Sequence, residues 1–206
     1  MSETFQEDNY QPLLIVISGP SGVGKDSVVR GMKERQQPFH FVVTVTTRPP
    51  RPGERPGEDY FFISEAEFTR MVERGELIEH AAVYEGYKGV PRQQVLQGLA
   101  SGLDVVLRLD VQGAASIREL CPEALLIFLV TPEETELVER LKSRQTESQA
   151  HLALRATLAQ QELDRVDEFD YVVVNAKDQL ERAVDTVLAI ICAEHHRVHP
   201  RKVSLE

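Results

Sequence analysis

Four short stretches of the chain, Leu13–Ser18, Val105–Asp110, Ala124–Val130 and Tyr171–Asn175, are apolar at almost every position and rich in β-branched residues. A strand with one wet face alternates apolar and polar residues, whereas one covered on both faces does not, so these read as strands of a parallel sheet. Helical spacing fills the gaps between them. A helix runs through Val28 to Arg35. Pro91 suits the first turn of another, with Val95, Leu96 and Leu99 on its apolar face and Gly102 as its stop. Thr131-Pro132-Glu133-Glu134 has the form of a capping box ahead of Leu137, Val138 and Leu141. Asp178 to Glu181 opens a last helix that buries Val184, Val187, Leu188 and Ile191. Strands alternating with helices predict an α/β fold with a parallel-sheet core flanked by helices.

Two stretches break that rhythm. Residues 42–90 hold an Arg/Pro/Gly-rich loop, the strand-like Tyr60–Ile63, and a helix capped by Ser64 and Glu67 and closed by Gly75, which predicts a small inserted α+β lobe. Residues 137–166 are polar, Arg-bearing and interrupted at Gln145–Ser148, which suits a helical lid. The core is then 12–41, 91–136 and 167–194, with tails at 1–11 and 195–206. His195, His196 and His199 read as a solvated tail and not as a metal site.

Composition narrows the class. The 206 residues suffice for one core with an insertion, and no apolar run reaches the roughly 20 residues of a membrane span. The acidic start Met1–Asp8 lacks the basic region and apolar core of a secretion signal. Cys121 and Cys192 form no paired motif, so a reducing cytoplasm is the expected setting. A net charge of −10 argues against broad nucleic-acid binding, and nothing marks a membrane partner. Small anions remain open to it, because a local arginine cluster dominates inside a cleft.

Such clusters exist. Directly after the first apolar run comes Gly19-Pro20-Ser21-Gly22-Val23-Gly24-Lys25-Asp26-Ser27, a strand, a glycine-rich turn and a lysine at the mouth of a helix. Backbone N–H groups of such a P-loop cradle phosphate oxygens, and the lysine reaches the outer phosphates. Asp26 stands where the pattern has Ser or Thr. A second segment, Thr44 to Tyr60, carries Arg48 and Arg51 among prolines. Taken alone it reads equally as a solvated loop or as an anion site, in which two stiffly held guanidinium groups fork onto one phosphate beside a tyrosine hydroxyl. A P-loop upstream favours the second, since a phosphotransferase needs a donor cradle and an acceptor clamp.

From Pro12 to Ile191 the sequence resembles the guanylate kinases. The motifs that carry the likeness are Gly19–Lys25, Thr46–Glu54 with Asp59-Tyr60, Leu77–Ala81, Asp110–Gly113, Arg140 and Arg144 with Thr146-Glu147, and Asp170–Asn175. The resemblance implies Mg²⁺-dependent phosphoryl transfer from ATP to GMP, and to dGMP. The inserted lobe then holds the nucleoside monophosphate. It assigns the ATP phosphates to Ser21, Gly22, Val23, Gly24, Lys25, Asp26 and Ser27, with Arg140, Arg144 and Asn175. It assigns GMP to Thr44, Arg48, Arg51, Tyr60, Glu79, Lys88 and Asp110. Lys25, Arg48, Arg144 and Arg155 become the catalytic cations, and Asp26 and Asp110 the carboxylates near the metal. Glu79 falls at the guanine-reading position, where two carboxylate oxygens meet N1–H and the 2-amino group side by side.

Three departures accompany the likeness: Asp26, Arg108 where a second aspartate is common, and Gly86-Tyr87-Lys88-Gly89-Val90 in place of Tyr-Tyr-Gly-Ser/Thr. Asp26 is expected to serve the metal; unchanged Mg²⁺ dependence in Asp26→Ser would count against that. Two other functions fit parts of the pattern: a non-catalytic guanylate-kinase-like interaction module, and a ribose 1,5-bisphosphate kinase. Charge spreading during phosphoryl transfer makes each arginine at the site costly to lose. Arg144→Ala is therefore expected to lower turnover at least about a hundred-fold; near-wild-type turnover would remove Arg144 from the site.

Overall fold

The computed structural model describes residues 10–51, 53–83, 86–142 and 157–205. A five-stranded sheet, ordered β2-β7-β1-β8-β9 and parallel throughout, is built from β1 (Leu14–Ser18), β2 (Phe39–Phe41), β7 (Asp104–Arg108), β8 (Leu125–Val130) and β9 (Tyr171–Val174). A second sheet, ordered β4-β3-β6-β5, joins β3 (Val45–Thr46), β4 (Phe61–Phe62), β5 (Leu77–Val83) and β6 (Gly86–Pro91). Here β6 runs antiparallel to both its neighbours.

The central strand explains its own sequence. Leu13, Ile15 and Ile17 enter the apolar cluster that contains Val28, Met32, Val184 and Val187. Leu14 and Val16 enter the opposite cluster, with Val95, Ala114 and Ile117. Helix α1 (Lys25–Glu34) and the C-terminal helix (Leu180–His195) cover the first face, and α3 (Arg92–Ala100) and α4 (Val111–Leu120) the second. Each fully buried Leu or Ile contributes roughly 2 kcal/mol, so the drive for these strands to be apolar throughout is strong. A third, small cluster of Val45, Phe68 and Leu77 sits under α2 (Glu65–Glu73), whose Ser64 cap accepts the Glu67 N–H at 3.2 Å. Helix α5 (Glu134–Lys142) buries Leu137 and Leu141.

Several expectations need correction. Edge strand β2 has only three residues, too few for a periodic signal. Val172 and Val174 of β9 are each 51% exposed, because β9 is an edge strand covered on one face only. Leu96 likewise faces outward. The capping box at Thr131 does not form: α5 starts at Glu134, and the Thr131 hydroxyl donates to the Glu133 carbonyl at 2.8 Å, a local bond that competes with the cap. The last helix starts at Leu180, with Asp178 in a left-handed turn ahead of it.

The largest correction concerns the residues from His195 onward, expected as a solvated tail. His195 Nε2 lies 2.8 Å from Asp104 Oδ2 and its ring stacks on Tyr10. Arg201 is buried, donates to Glu194 at 2.6 Å and to the Ala124 carbonyl at 3.2 Å, and lies 3.6 Å from Asp170. Val203 and Leu205 pack against the core. Buried carboxylates at Asp104 and Glu194 demand partners, and this segment supplies them. Burial opposes ionisation of Glu194, yet hydrogen bonds from Arg201, Tyr171 and Arg197 prevail and hold it down at about 2. Its contribution is thus fully present above the ordinary carboxylate value of 4.5 and is lost as pH falls through about 2. Arg201→Ala leaves a buried carboxylate short of its main partner and is expected to cost about 3 kcal/mol at neutral pH. Urea unfolding of the two proteins at pH 7 and pH 3 checks this, and the difference should shrink in acid.

Candidate functional site

All of the chemistry gathers at the carboxyl ends of the parallel strands, where open α/β sheets carry their ligands. The turn after β1 wraps from Gly19 to Gly24, and α1 begins at Lys25. Gly24 has φ 97°, and a Cβ there would come within 2.4 Å of Asn175 Nδ2, so the turn requires glycine on both counts. Two side chains brace it from behind. Asn175, buried just past β9, donates to the Val23 carbonyl at 2.8 Å, and Arg140 of α5 donates to the same oxygen at 3.0 Å. Arg140 also donates to the Asn175 carbonyl at 2.7 Å and pairs with Glu136.

In front of the turn lies a cavity of about 460 Å³ between the two sheets. Ser21, Gly22, Gly24, Lys25 and Asp26 form one wall, and Thr44, Arg48, Arg51, Tyr60, Glu79 and Lys88 form the facing one. Asp110 lies between them, with Leu158, Gln161, Glu162 and Arg165 over the top. Val23, Ser27, Arg140 and Asn175 do not line the cavity; the last two act on the loop's back. Arg144 and Arg155 fall outside the described residues.

Several charged groups here are engaged by the protein itself. Lys25 Nζ folds back onto the carbonyls of Gly19 at 2.5 Å and Pro20 at 3.2 Å. Burial pushes its pKa down, against the pull of Glu162, Asp110 and Asp26. Glu162 accepts the Ser21 N–H at 3.1 Å, and burial pushes its carboxyl up despite Lys25. Arg48 is buried and forks onto Glu54, with bonds of 2.7 and 2.6 Å, while its guanidinium lies 4.8 Å from the Tyr60 ring centre. Glu54 also accepts the Arg51 backbone N–H at 2.8 Å, so one carboxylate holds the Arg48 side chain and the Arg51 backbone together. Arg108 pairs with Asp26 at 2.7 Å.

Glu79 sits on β5 where the pairing with β6 shifts register, which turns its side chain into the cavity floor. It is 6% exposed. Burial, reinforced by Asp110, raises its pKa to about 7. Asp110 caps α4, accepting the Gly113 N–H at 2.9 Å. A Cβ at Gly113 would lie 3.2 Å from the Glu79 carboxyl, so this close approach also rests on a glycine.

Glu54, Glu162 and Arg165 carry no assignment from the sequence, although Glu54 stands inside the arginine motif. Their partners are the signal: a carboxylate beside clustered arginines orients them. Arg165 is itself drawn to Glu168 by two bonds of 2.7 Å.

The arrangement has counterparts. A family model described as guanylate kinase matches residues 11–194. The chain is 50% identical over 196 residues to guanylate kinase 2, chloroplastic/mitochondrial, of Oryza sativa subsp. japonica, covering 95% of this chain and 69% of that one. It is 45% identical to the guanylate kinase of Caldanaerobacter subterraneus subsp. tengcongensis, covering 93% and 92%. The crystal structure of guanylate kinase from Anaplasma phagocytophilum superposes with a TM-score of 0.74 at 29% identity, covering 92% of this chain and 89% of that one. With phosphate loop, arginine loop and buried Glu79 facing one cavity, and a family match across nearly the whole chain, this protein belongs to the guanylate kinase family.

Proposed function

We propose that this cavity is where the terminal phosphoryl group of ATP passes to GMP, and to dGMP, giving ADP and the guanosine diphosphate. The observation that carries the reading is Glu79: a buried carboxyl, in the same cavity as Lys25 and Arg48, suited to two adjacent donors such as guanine N1–H and the 2-amino group. An interaction module has no use for that constellation, and a ribose 1,5-bisphosphate kinase has no base to read. The relatives at 45% and 50% identity bear the guanylate kinase name and favour neither.

In this reading the loop amides from Ser21 to Ser27 and Lys25 hold the ATP phosphates, with Arg140 and Asn175 keeping the loop in shape. Arg48, Arg51 and Tyr60 hold the GMP phosphate, with Lys88 adding charge, and Thr44, Glu79 and Asp110 surround the base. The attacking oxygen of a phosphate monoester is already anionic, so no side chain removes a proton. The barrier is repulsion between two polyanions, and Lys25, Arg48 and the lid cations Arg144 and Arg155 offset it. Closure of the lid excludes water as a competing acceptor. Among the described residues no group of three or more His, Cys, Asp or Glu could hold a metal by itself. That donor set would suit a Mg²⁺ held mainly by phosphates and water, with Asp26 and Asp110, two of the three carboxylates that act on Lys25, beside it. Bound there, Mg²⁺ supplies charge neutralisation and alignment of the phosphates. The two free cysteines, one buried and one exposed, suit a reducing cytoplasm.

Coupled detection of ADP over GMP, dGMP, AMP, CMP, UMP and ribose 1,5-bisphosphate tests the assignment. GMP is expected to be the best acceptor; preference for the sugar bisphosphate, or no turnover at all, would replace the reading with one of its rivals. Glu79 adds a pH signature. Only its ionised form accepts both guanine donors, so GMP affinity should rise as pH climbs through about 7. In stability the sign is opposite: the protonated group's contribution is present below 4.5 and is lost as pH rises through about 7. Glu79→Gln should weaken GMP about tenfold or more, leave ATP affinity within about twofold, and flatten the pH dependence of GMP affinity. Binding titrations at pH 6 and pH 8 check all three.

A further inference from the structure

Arg108 and Asp26, which depart from the family pattern at separate places in the sequence, meet in the fold. Arg108 is the last residue of β7 and pairs in register with Ile17 of β1, so its backbone is fixed in the middle of the sheet. Its side chain is 14% exposed and makes three engagements. One edge of the guanidinium binds Asp26 Oδ1 at 2.7 Å. Another nitrogen donates to the Asp59 carbonyl at 2.9 Å. The Arg108 guanidinium carbon lies over the Tyr60 ring, 4.5 Å from the ring centre, and that of Arg48 lies over the same ring at 4.8 Å. Asp26 follows Lys25 directly, whereas Asp59 and Tyr60 belong to the loop that carries Arg48 and Arg51. The Arg108–Asp26 pair also forms the partition between the main cavity and a neighbouring one of about 380 Å³.

We propose that Arg108 is a positioning residue for the acceptor phosphate, a strut from the rigid sheet that sets Tyr60 and the arginine loop at a fixed distance from the phosphate turn, with Asp26 as its anchor. This rests on the GMP reading of the cavity. A planar guanidinium suits the task because it serves a carboxylate, a carbonyl and a ring face at once, which an ammonium does not. Asp26 thereby acquires a role on the acceptor side although it stands in the donor loop. An arginine here without Asp26 would lose the carboxylate that holds its largely buried charge.

Steady-state kinetics of Arg108→Ala, Arg108→Lys, Asp26→Asn and the double variant Asp26→Asn/Arg108→Ala, varying GMP and MgATP separately, test this. Arg108→Ala should raise KM for GMP about tenfold or more while KM for ATP moves less than about threefold. Asp26→Asn should raise KM for GMP in the same sense. In KM for GMP the double variant should be no worse than Arg108→Ala alone, since on the acceptor side the two residues act as one unit. Arg108→Lys, which keeps the charge and the fold, should fall between wild type and alanine. Unchanged KM for GMP in Arg108→Ala or Arg108→Lys, additive rises in KM for GMP in the double variant, or an Asp26→Asn effect confined to ATP would each overturn the proposal. Wild-type protein that does not turn over GMP would overturn the assignment of the cavity instead.

Discussion

The carbonyl oxygen of Val23 is where distant parts of the chain take hold of the phosphate turn. Asn175, at the end of an edge strand, and Arg140, from a helix, donate to this one acceptor. A turn that points its amides inward leaves carbonyls pointing out, and a buried carbonyl must find donors. Supplying them from β9 and α5 makes the shape of the turn a property of the whole sheet. The close packing at Gly24, with no room for a methyl group against Asn175, belongs to the same constraint.

Around that fixed turn three cations are engaged by oxygen atoms of the protein: Lys25 by carbonyls and the field of Glu162, Arg48 by Glu54, Arg108 by Asp26. An isolated buried charge is costly, so a site for polyanions needs groups that hold its cations when the substrates are away. The carboxylates do this and orient the cations at the same time. The guanidinium of Arg48 also donates to the Pro49 carbonyl at 2.9 Å, so carboxylate and backbone together fix its plane.

Much of the fold was legible in the residues because its central strands are covered on both faces and therefore apolar throughout. The same rule failed at β9, whose valines face outward from an edge, and gave no signal at the three-residue β2. Caps at Thr131 and Asp178 were misread because short polar side chains satisfy nearby backbone groups in more than one way. The phosphate turn and the arginine loop stood out as local patterns. Glu54, Glu162 and the Asp26–Arg108 pair did not, since their meaning lies in contacts between segments remote in sequence. His195, the last residue of the C-terminal helix, carries no local sign of its partner, because Asp104 is remote from it in the chain.

That contact at Asp104 also governs where the chain comes together. Asp104 accepts the Leu13 N–H at 2.8 Å, and Tyr10 and His195 stack above it, at the amino-terminal edge of the parallel sheet. The two outer segments of the fold are thus neighbours on the side turned away from the substrates. Asp104 thereby ties the entry to the first strand to the end of the last helix and closes the fold on the side opposite the cavity.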